Sequence, residues 1–571
     1  MTFKTLYKMR RTFLLLITTL LAASTLSARD FDVVSPSGHT LYCDIVQGGV
    51  AIVGWDYSRD SIEPISLVIP AHVSNGGINF SVIAIGAGAF RGGNRLFSVS
   101  IPSSVKTIGE EAFCRCFGLG SFAVPSSVDS IGPNAFLGIP NVEYNGSLQG
   151  APWGAMNLNA YKEGQYYYSD SLKTKIVCCE RDATDATIPS TVTSIGKFAF
   201  AYCFNIRTVR IDSVITKVGS SAFECCNNLE SVYFEPGNQT DLDHFIFEGC
   251  PNLRQLTLSS TMTELPLGFC KNCTSLQEIV IPDNITKVGS DAFLGCTSLE
   301  RAVVGNGIER LGMSMFEGCT SLKEVVLPEC VREINYGAFC DCKSLREIVL
   351  PVGVNYIGFR AYAGCDNVST IVCMNPTVPN TSDRAFDSID TQIDVYVPCN
   401  KASLYSQDAQ WGRFENFRET SYYVVVTSNN IHWGSAVATK QPSCDDNTAT
   451  IEATPEEGYR FVKWDDNNTD NPRQIAYNGQ GYVYRKAIFE STVGVQEAEP
   501  LPEVKVYASN GGIVVDGAQG EQVWVYDIMG RQLYNALIRD SIYRIQTPSL
   551  PFGVYLVKVG NHKAEKVAVR R

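Results

Sequence analysis

The sequence predicts a mainly β protein: a solenoid of short repeats with a period of about 23 residues, followed by two small all-β modules. Three observations carry that prediction. An Ala-Phe or similar pair recurs at a nearly fixed interval over most of the chain. Each interval holds one short strand of alternating apolar residues and one turn with Pro or Gly. After residue 418 the period stops, and alternating strands separated by Gly, Asn and Asp take over.

The chain begins with different material. Lys4, Lys8, Arg10 and Arg11 form a basic start, "TFLLLITTLLAAS" is an apolar run, and "TLSA" supplies small residues near Ala28. That order is an export signal over residues 1–28. The run is shorter than the roughly 20 apolar residues of a transmembrane helix, and the mature chain offers no other candidate. Removing the four positive charges takes the chain from -12 to near -16. With 19% charged residues and five histidines, it has no electrostatic reason to bind nucleic acid or an anionic membrane.

The repeats fill residues 29–418. Their aromatic recurs at Phe90, Phe113 and Phe136, and after a gap at Phe200, Phe223, Phe247 and Phe269. It continues at Phe293, Phe316, Phe339, Tyr362 and Phe386. In "LQEIVIPDNITKVGSDAFLGC" the apolar Leu276, Ile279 and Ile281 lie on one face of a strand, and the segment after the turn also faces inward. One such unit cannot bury its own apolar face, but stacked neighbours can. The reading is one ladder of about a dozen coils with parallel strands about 4.8 Å apart.

The consensus L-x-x-I-x-I-P-x-x-V-x-x-I-G-x-x-A-F-x-x-C resembles the leucine-rich repeat of BspA-like bacterial surface proteins. Residues 137–194, including "NVEYNGSLQGAPWGAMNLNAYKEGQYYY", resemble the irregular coil that such proteins insert. Residues 395–418 resemble their closing segment, which shields the apolar edge of the last coil.

Cysteine stands at one repeat position in Cys116, Cys203, Cys226, Cys250, Cys273, Cys296, Cys319, Cys342 and Cys365. The same position holds Gly93 and Ile139, so it asks for a small or apolar filler. A metal ligand could not be exchanged for Ile. Disulfides are the competing reading, because neighbouring coils are close enough and export favours oxidation. The off-ladder residues Cys114, Cys178, Cys179, Cys225, Cys270 and Cys340 are the better candidates for pairing.

Residues 419–493 read as a small β domain, and "ATPEEGYRFVKW" resembles the divergent repeat of internalin-type surface proteins. Its "DDNNTD" lacks the spacing of a calcium loop and reads as a solvated turn. Residues 494–503 have the composition of a linker. Residues 504–571 show strands enough for an Ig-like β-sandwich. "VYDIMGRQL", "LPFGVYLVKVG" and "KVAVRR" resemble the C-terminal sorting domain of type IX secretion cargo. That resemblance implies passage across a Gram-negative outer membrane by the type IX machinery, followed by release or surface attachment.

No His-Glu-x-x-His, phosphate loop or nucleophile elbow occurs, and the histidines scatter over different modules, so the chain reads as non-catalytic with no cofactor or metal. A solenoid offers surface instead. The strand register turns two columns of residues outward. One contains Glu278, Arg301, Glu324 and Glu347, the other Tyr233, Thr257, Val280, Val303, Val326 and Val349. Four stacked valines facing solvent would make an apolar stripe suited to a partner, although valine also favours strands on any face. The expected function is adhesin-like binding of extracellular host proteins or other bacterial surfaces. The alternative is a surface glycan or nutrient receptor.

Overall fold

The computed structural model describes residues 29–56 and 64–492, apart from positions 151, 185 and 238, together with the strands between residues 505 and 569. The expected export signal and the expected linker lie outside the described residues. The chain is mainly β and divides into two compact units. The first comprises the solenoid to Tyr423 with residues 442–447 and 477–482; the second comprises the rest.

A single coil shows why the repeat folds as it does. Glu278–Val280 forms a strand of a main ladder, with Ile279 buried and its neighbours outward. A turn closed by the Ile285 N–H on Pro282 O leads to Lys287–Val288, a strand of a short ladder. Asp291, Phe293 and Gly295 then donate to Met313, Met315 and Glu317 carbonyls at 2.8–3.0 Å. Hydrogen bonds to the next coil thus leave from several sides, which satisfies backbone groups that the narrow core would otherwise strand.

Two features of the consensus follow from that stacking. Asp291 and Gly295 adopt φ of 59° and 73°, and the residues two before and two after the aromatic slot repeat this left-handed geometry in every coil. Glycine serves the second position at Gly295 and Gly318, whereas Arg115 and Asp341 accept the left-handed strain. The glycine of "VGSDAF" has a different task. A Cβ on Gly289 would sit 2.3 Å from Leu267 N, on the backbone of the preceding coil.

The aromatic side chains stack in rows. Phe90, Phe113 and Phe136 form one row; Phe200, Phe223 and Phe247 a second; Phe293, Phe316, Phe339, Tyr362 and Phe386 a third. Adjacent rings lie 4.8 to 6.1 Å apart and within 21° of parallel. Each such pair adds about 0.5–1.5 kcal/mol beyond its buried area.

One assignment is corrected here. Phe269 does not occupy the aromatic slot. Its carbonyl accepts from Phe247 N–H, as that of Ala292 accepts from Cys270 N–H, so Phe269 holds the small-residue position and Cys270 the aromatic one. The Phe269 ring meets Phe247 at 81°, which ends the second row.

The expected single ladder is two stacks. Buried residues from Leu41 to Ala155 form one core, and those from Tyr166 to Phe414 another. The first stack starts from the antiparallel strands Phe31–Val34, Thr40–Val46 and Gly49–Trp55. Residues 137–194 are not one irregular coil. Asn141–Glu143 completes the first stack by pairing with Ser121–Ala123. Tyr161–Glu163, Tyr166–Tyr168 and Lys175–Cys179 form a second antiparallel start, which continues in parallel to Ser194–Ile195. Phe117 of the first stack lies on Phe198 of the second, 4.5 Å between centroids.

The last coil is closed by Asp394–Pro398 paired with Asn416–Thr420, with the short helix Ala402–Ser406 between them. Tyr405 and Trp411 are buried there, and Trp411 meets Phe386 edge-on at 5.2 Å. Cys399 and Cys444 form a disulfide that ties this end to residues 442–447.

Beyond the solenoid, Tyr422–Ser428, Gly481–Ser491 and Tyr459–Trp464 make one sheet; Gly434–Lys440, Thr448–Pro455 and Arg473–Ala476 make another. Ile451, Trp464 and Phe489 are buried in this module. The C-terminal module has a three-stranded sheet, Lys505–Ser509, Gly512–Asp516 and Ile542–Ile545. Its four-stranded sheet comprises Gln522–Asp527, Gln532–Leu537, Gly553–Val559 and Glu565–Val569.

Candidate partner-binding face

The main ladder carries the two outward columns, but it does not expose them evenly. Tyr233 and Val280 are 36% and 53% exposed, and Thr257 and Glu278 are also open. Val303, Val326 and Val349 are half-buried, so the stripe of four exposed valines reduces to Val280. The ladder is also interrupted beside Val280. Glu278–Val280 pairs with Arg301–Val303, but not with Gln255–Thr257 on its other side. Val280 stands at a sheet edge and Val303 is flanked in register by Val280 and Val326; Val326 is the opposite edge of the same three strands, yet it is half-buried. An open groove of about 570 Å³ lies at this break, lined by Arg254, Gln255, Thr257, Glu278, Val280 and Pro282.

Three of the four charges in the charged column pair with one another. Arg301 bridges two strands, bonding Glu278 on one side and Glu324 at 3.1 Å on the other. Its side chain is only 11% exposed, so the guanidinium binds the ladder and is not free for a partner. Arg210 lies over the Tyr233 ring at 5.3 Å and pairs with Asp212 and Glu235.

Glu347 is half-buried. Tyr423 OH donates to its Oε1 at 2.6 Å, and the Tyr423 ring meets Tyr396 edge-on. Burial pushes the Glu347 carboxyl up, against a smaller opposite effect of the Tyr423 hydrogen bond. Tyr482 OH donates to Leu350 O at 2.5 Å beside the same strand. These tyrosines lie 76 and 132 residues from their partners, and no repeat pattern announces them. The groove residues Arg254, Gln277 and Pro282 were also missed, because a break in pairing leaves no mark in the consensus.

The cysteine ladder is buried throughout. Eight of its thiols donate to the carbonyl of the aromatic slot one coil back, at 3.0–3.3 Å: Cys116 to Phe90, Cys273 to Phe247, Cys296 to Cys270 and so on to Cys365. Burial pushes the Cys116 thiol up to about 12 and also raises Cys226, Cys250, Cys296, Cys319, Cys342 and Cys365, so these keep the proton they donate. They are free thiols, as are Cys114, Cys178, Cys179, Cys225, Cys270 and Cys340. The disulfide falls instead on Cys399 and Cys444, outside both sets.

Elsewhere, Glu317, Cys340 and Asp341 bring three ligand atoms within 4.8 Å of one another, but Arg360 donates to Cys340 Sγ at 3.4 Å and supplies the cation. In the "DDNNTD" turn, Asp466 is gripped by Arg473 at 2.7 and 2.8 Å, and these hydrogen bonds hold its carboxyl down to about 2. Among the described residues, no helix is long and apolar enough to cross a membrane.

No curated protein sequence matches the chain. Residues 424–478 match the divergent InlB B-repeat domain, and residues 494–569 match a domain of unknown function, DUF6383. Among solved structures, a leucine-rich repeat protein of Bacteroides ovatus is 22% identical, covering 68% of this chain and 99% of its own, with a TM-score of 0.29. A leucine-rich cell surface protein of Faecalibacterium prausnitzii is 19% identical over 66% and 97%, with a TM-score of 0.26. The pneumococcal vaccine antigen PcpA is 14% identical over 65% and 95%, with a TM-score of 0.26. Residues 72–150, 174–300 and 289–407, together more than half of the sequence, match the BspA type leucine-rich repeat region in six copies. The chain belongs to the BspA-type leucine-rich repeat proteins.

Proposed function

We propose that this chain is a non-catalytic, adhesin-like binding protein of the cell surface, which engages a protein on a host or on another bacterium. The observation that carries the reading is the break beside Val280. An exposed apolar side chain and an open groove lie there, beside an Arg301 that is already held by Glu278 and Glu324. Tyr233, Thr257, Glu278 and Val280 are the contact residues. Arg301, Glu324 and Glu347 support the face from within, and Val303, Val326 and Val349 form its half-buried floor. A glycan receptor is less well supported, because Arg210 already covers the Tyr233 ring on which a sugar would stack.

Solid-phase binding of residues 29–571 to matrix proteins, serum proteins and bacterial cells, beside a glycan array, tests this reading. Saturable binding to a protein supports it, and binding to glycans alone refutes it.

Export and display complete the proposal. Residues 1–28 direct the chain out of the cytoplasm, and residues 504–571 serve as a type IX sorting domain. Deleting residues 500–571 should trap the chain in the periplasm. Continued display on the cell exterior would show this route to be wrong.

A further inference from the structure

The main ladder of the second stack breaks a second time. Glu324–Val326 pairs with Arg301–Val303 but not with Glu347–Leu350, which pairs instead with Thr370–Cys373. An open groove of about 720 Å³ lies at this break, lined by Lys323, Ser344, Arg346, Asn367 and Ser369. Its lining holds two cations, two hydroxyls and one amide, with no carboxylate and no apolar side chain.

Repeat register accounts for the surplus of positive charge. The residue before each main-ladder strand stacks on its counterpart one coil away, and in successive coils this position holds Glu300, Lys323, Arg346 and Ser369. Elsewhere on the solenoid such stacking joins opposite charges: Arg207 pairs with Glu230, Lys217 with Asp241, Arg310 with Glu333 and Arg418 with Asp394. Lys323 follows that rule, reaching back to Glu300 at 2.8 Å. Arg346 cannot. Its coil neighbours are a lysine and a serine, and among the described residues it forms no ion pair. Other acids nearby are engaged or offset. Glu324 is held by Arg301 at 3.1 Å, and Glu347 accepts from Tyr423 OH at 2.6 Å. The exposed Asp366 has the exposed Lys343 at the same repeat position one coil back. Like charges held on adjacent coils repel each other, so an anion placed between Lys323 and Arg346 is favoured.

Hydrogen bonds fix the wall of the groove. Asn367 Nδ2 donates to Lys343 O at 2.7 Å, and Ser369 Oγ donates to Arg346 O at 3.2 Å. Both side-chain oxygens keep lone pairs that can accept from a hydroxyl.

We propose that this groove binds an acidic polysaccharide, with Arg346 and Lys323 on its sulfate or carboxylate groups and Ser344, Asn367 and Ser369 on its hydroxyls. The guanidinium is a planar fork that meets either oxyanion with two parallel hydrogen bonds. A single small anion would leave most of the groove empty, whereas a saccharide chain can lie across it. Coils stand about 4.8 Å apart, close to the advance of one sugar residue along an extended chain. A protein segment fits less well, because protein contacts draw their energy from buried aromatic and apolar anchors, and this groove has none. Charge here takes the place of the aromatic platform on which a neutral sugar would stack. The chain as a whole is acidic, so a polyanion is repelled from the rest of the surface and held where cations outnumber acids. This site is separate from the protein-binding face at Val280.

Biolayer interferometry of residues 29–571 on immobilised dextran sulfate, polygalacturonate, neutral dextran and polyglutamate tests the site. The expected result is saturable binding to dextran sulfate or polygalacturonate, weakened by salt, with none to dextran. The two acidic polymers separate a sulfate from a carboxylate ligand. Lys323→Gln combined with Arg346→Gln should weaken binding by about tenfold or more, the worth of one charge-assisted hydrogen bond. Arg207→Gln removes the same charge from the same repeat position and should bind as the wild type does. Circular dichroism and the urea midpoint check the fold of each variant, and should the double variant not fold, Arg346→Gln alone carries the test. The proposal is overturned by a wild type that binds neither acidic polysaccharide, or by undiminished binding of the folded variant. An equal loss in Arg207→Gln, or tighter binding to polyglutamate than to either polysaccharide, overturns it as well.

Discussion

Replacing Gly289 with alanine measures how closely the coils must approach. The added Cβ would lie 2.3 Å from Leu267 N, 2.6 Å from Pro266 C and 2.7 Å from Leu267 Cα. Carbon atoms in good contact sit about 3.5–4.0 Å from their neighbours, so the coils must part by about 1 Å. Those neighbours are backbone and cannot swing aside. Overpacking of this kind costs about 1–3 kcal/mol. The Gly289 N–H bond to Leu265 O, 2.8 Å long, is stretched by the same movement, at a further cost of about 1 kcal/mol. The expected loss is therefore about 2–4 kcal/mol, read as a lowered urea midpoint at unchanged slope. Gly237→Ala is the control. Gly237 has φ of 83° with nothing within 4 Å of its would-be Cβ, so it tests backbone strain alone, at about 1 kcal/mol. Equal losses in the two variants would refute the argument that stacking selects the repeated glycine.

Three further outcomes are expected. Burial pushes Glu224 up from 4.5 to about 7, against hydrogen bonds from Ser221 and Tyr202. The native state thus keeps a proton that the unfolded chain releases first, and stability present below pH 4.5 is lost as pH rises to 7, by about 2 kcal/mol for a partly exposed group. Urea titrations of Glu224→Gln should show that slope flattened, and an unchanged slope would contradict it. The Cys399–Cys444 bond spans 45 residues, for which loop entropy predicts about 4 kcal/mol. Cys399→Ser should lower the thermal midpoint, and dithiothreitol should do the same to the wild type but not to the variant. Cys319→Ala, which removes a buried sulfur bonded to Phe293 O, should cost about 1–2 kcal/mol, and a neutral result would reduce the ladder thiols to mere spacers.

The coil itself was legible in the sequence, because each repeat restates the same apolar positions and chance errors average out over the copies. Where one copy departs, that redundancy misleads. "LPLGFC" shifts its aromatic by one residue, and Phe269 kept the spacing near enough to 23 that Cys270 was not seen as the slot holder. The second start at 161–179 was hidden for another reason. Its first two strands are three residues long, too short to display a period of two against the Tyr-rich background. Of the candidate face, the direction of each side chain followed from strand alternation, but its exposure did not. Glu347 is covered by a tyrosine 76 residues away, and Val280 lies beside a lapse in pairing between strands of ordinary sequence. Both depend on distant parts of the chain.

The central claim is that a partner meets the main ladder at the break beside Val280. It is tested most directly by measuring binding of the mature chain to its protein ligand with Tyr233→Ala and Val280→Lys combined, against Val437→Lys as an equally exposed control outside the solenoid. Loss of a central apolar contact and insertion of a charge correspond to about 2 kcal/mol or more, a weakening of at least roughly 30-fold. The account predicts that loss with the circular dichroism spectrum and urea midpoint retained, and full binding by the control. Undiminished binding by the folded double variant would contradict it.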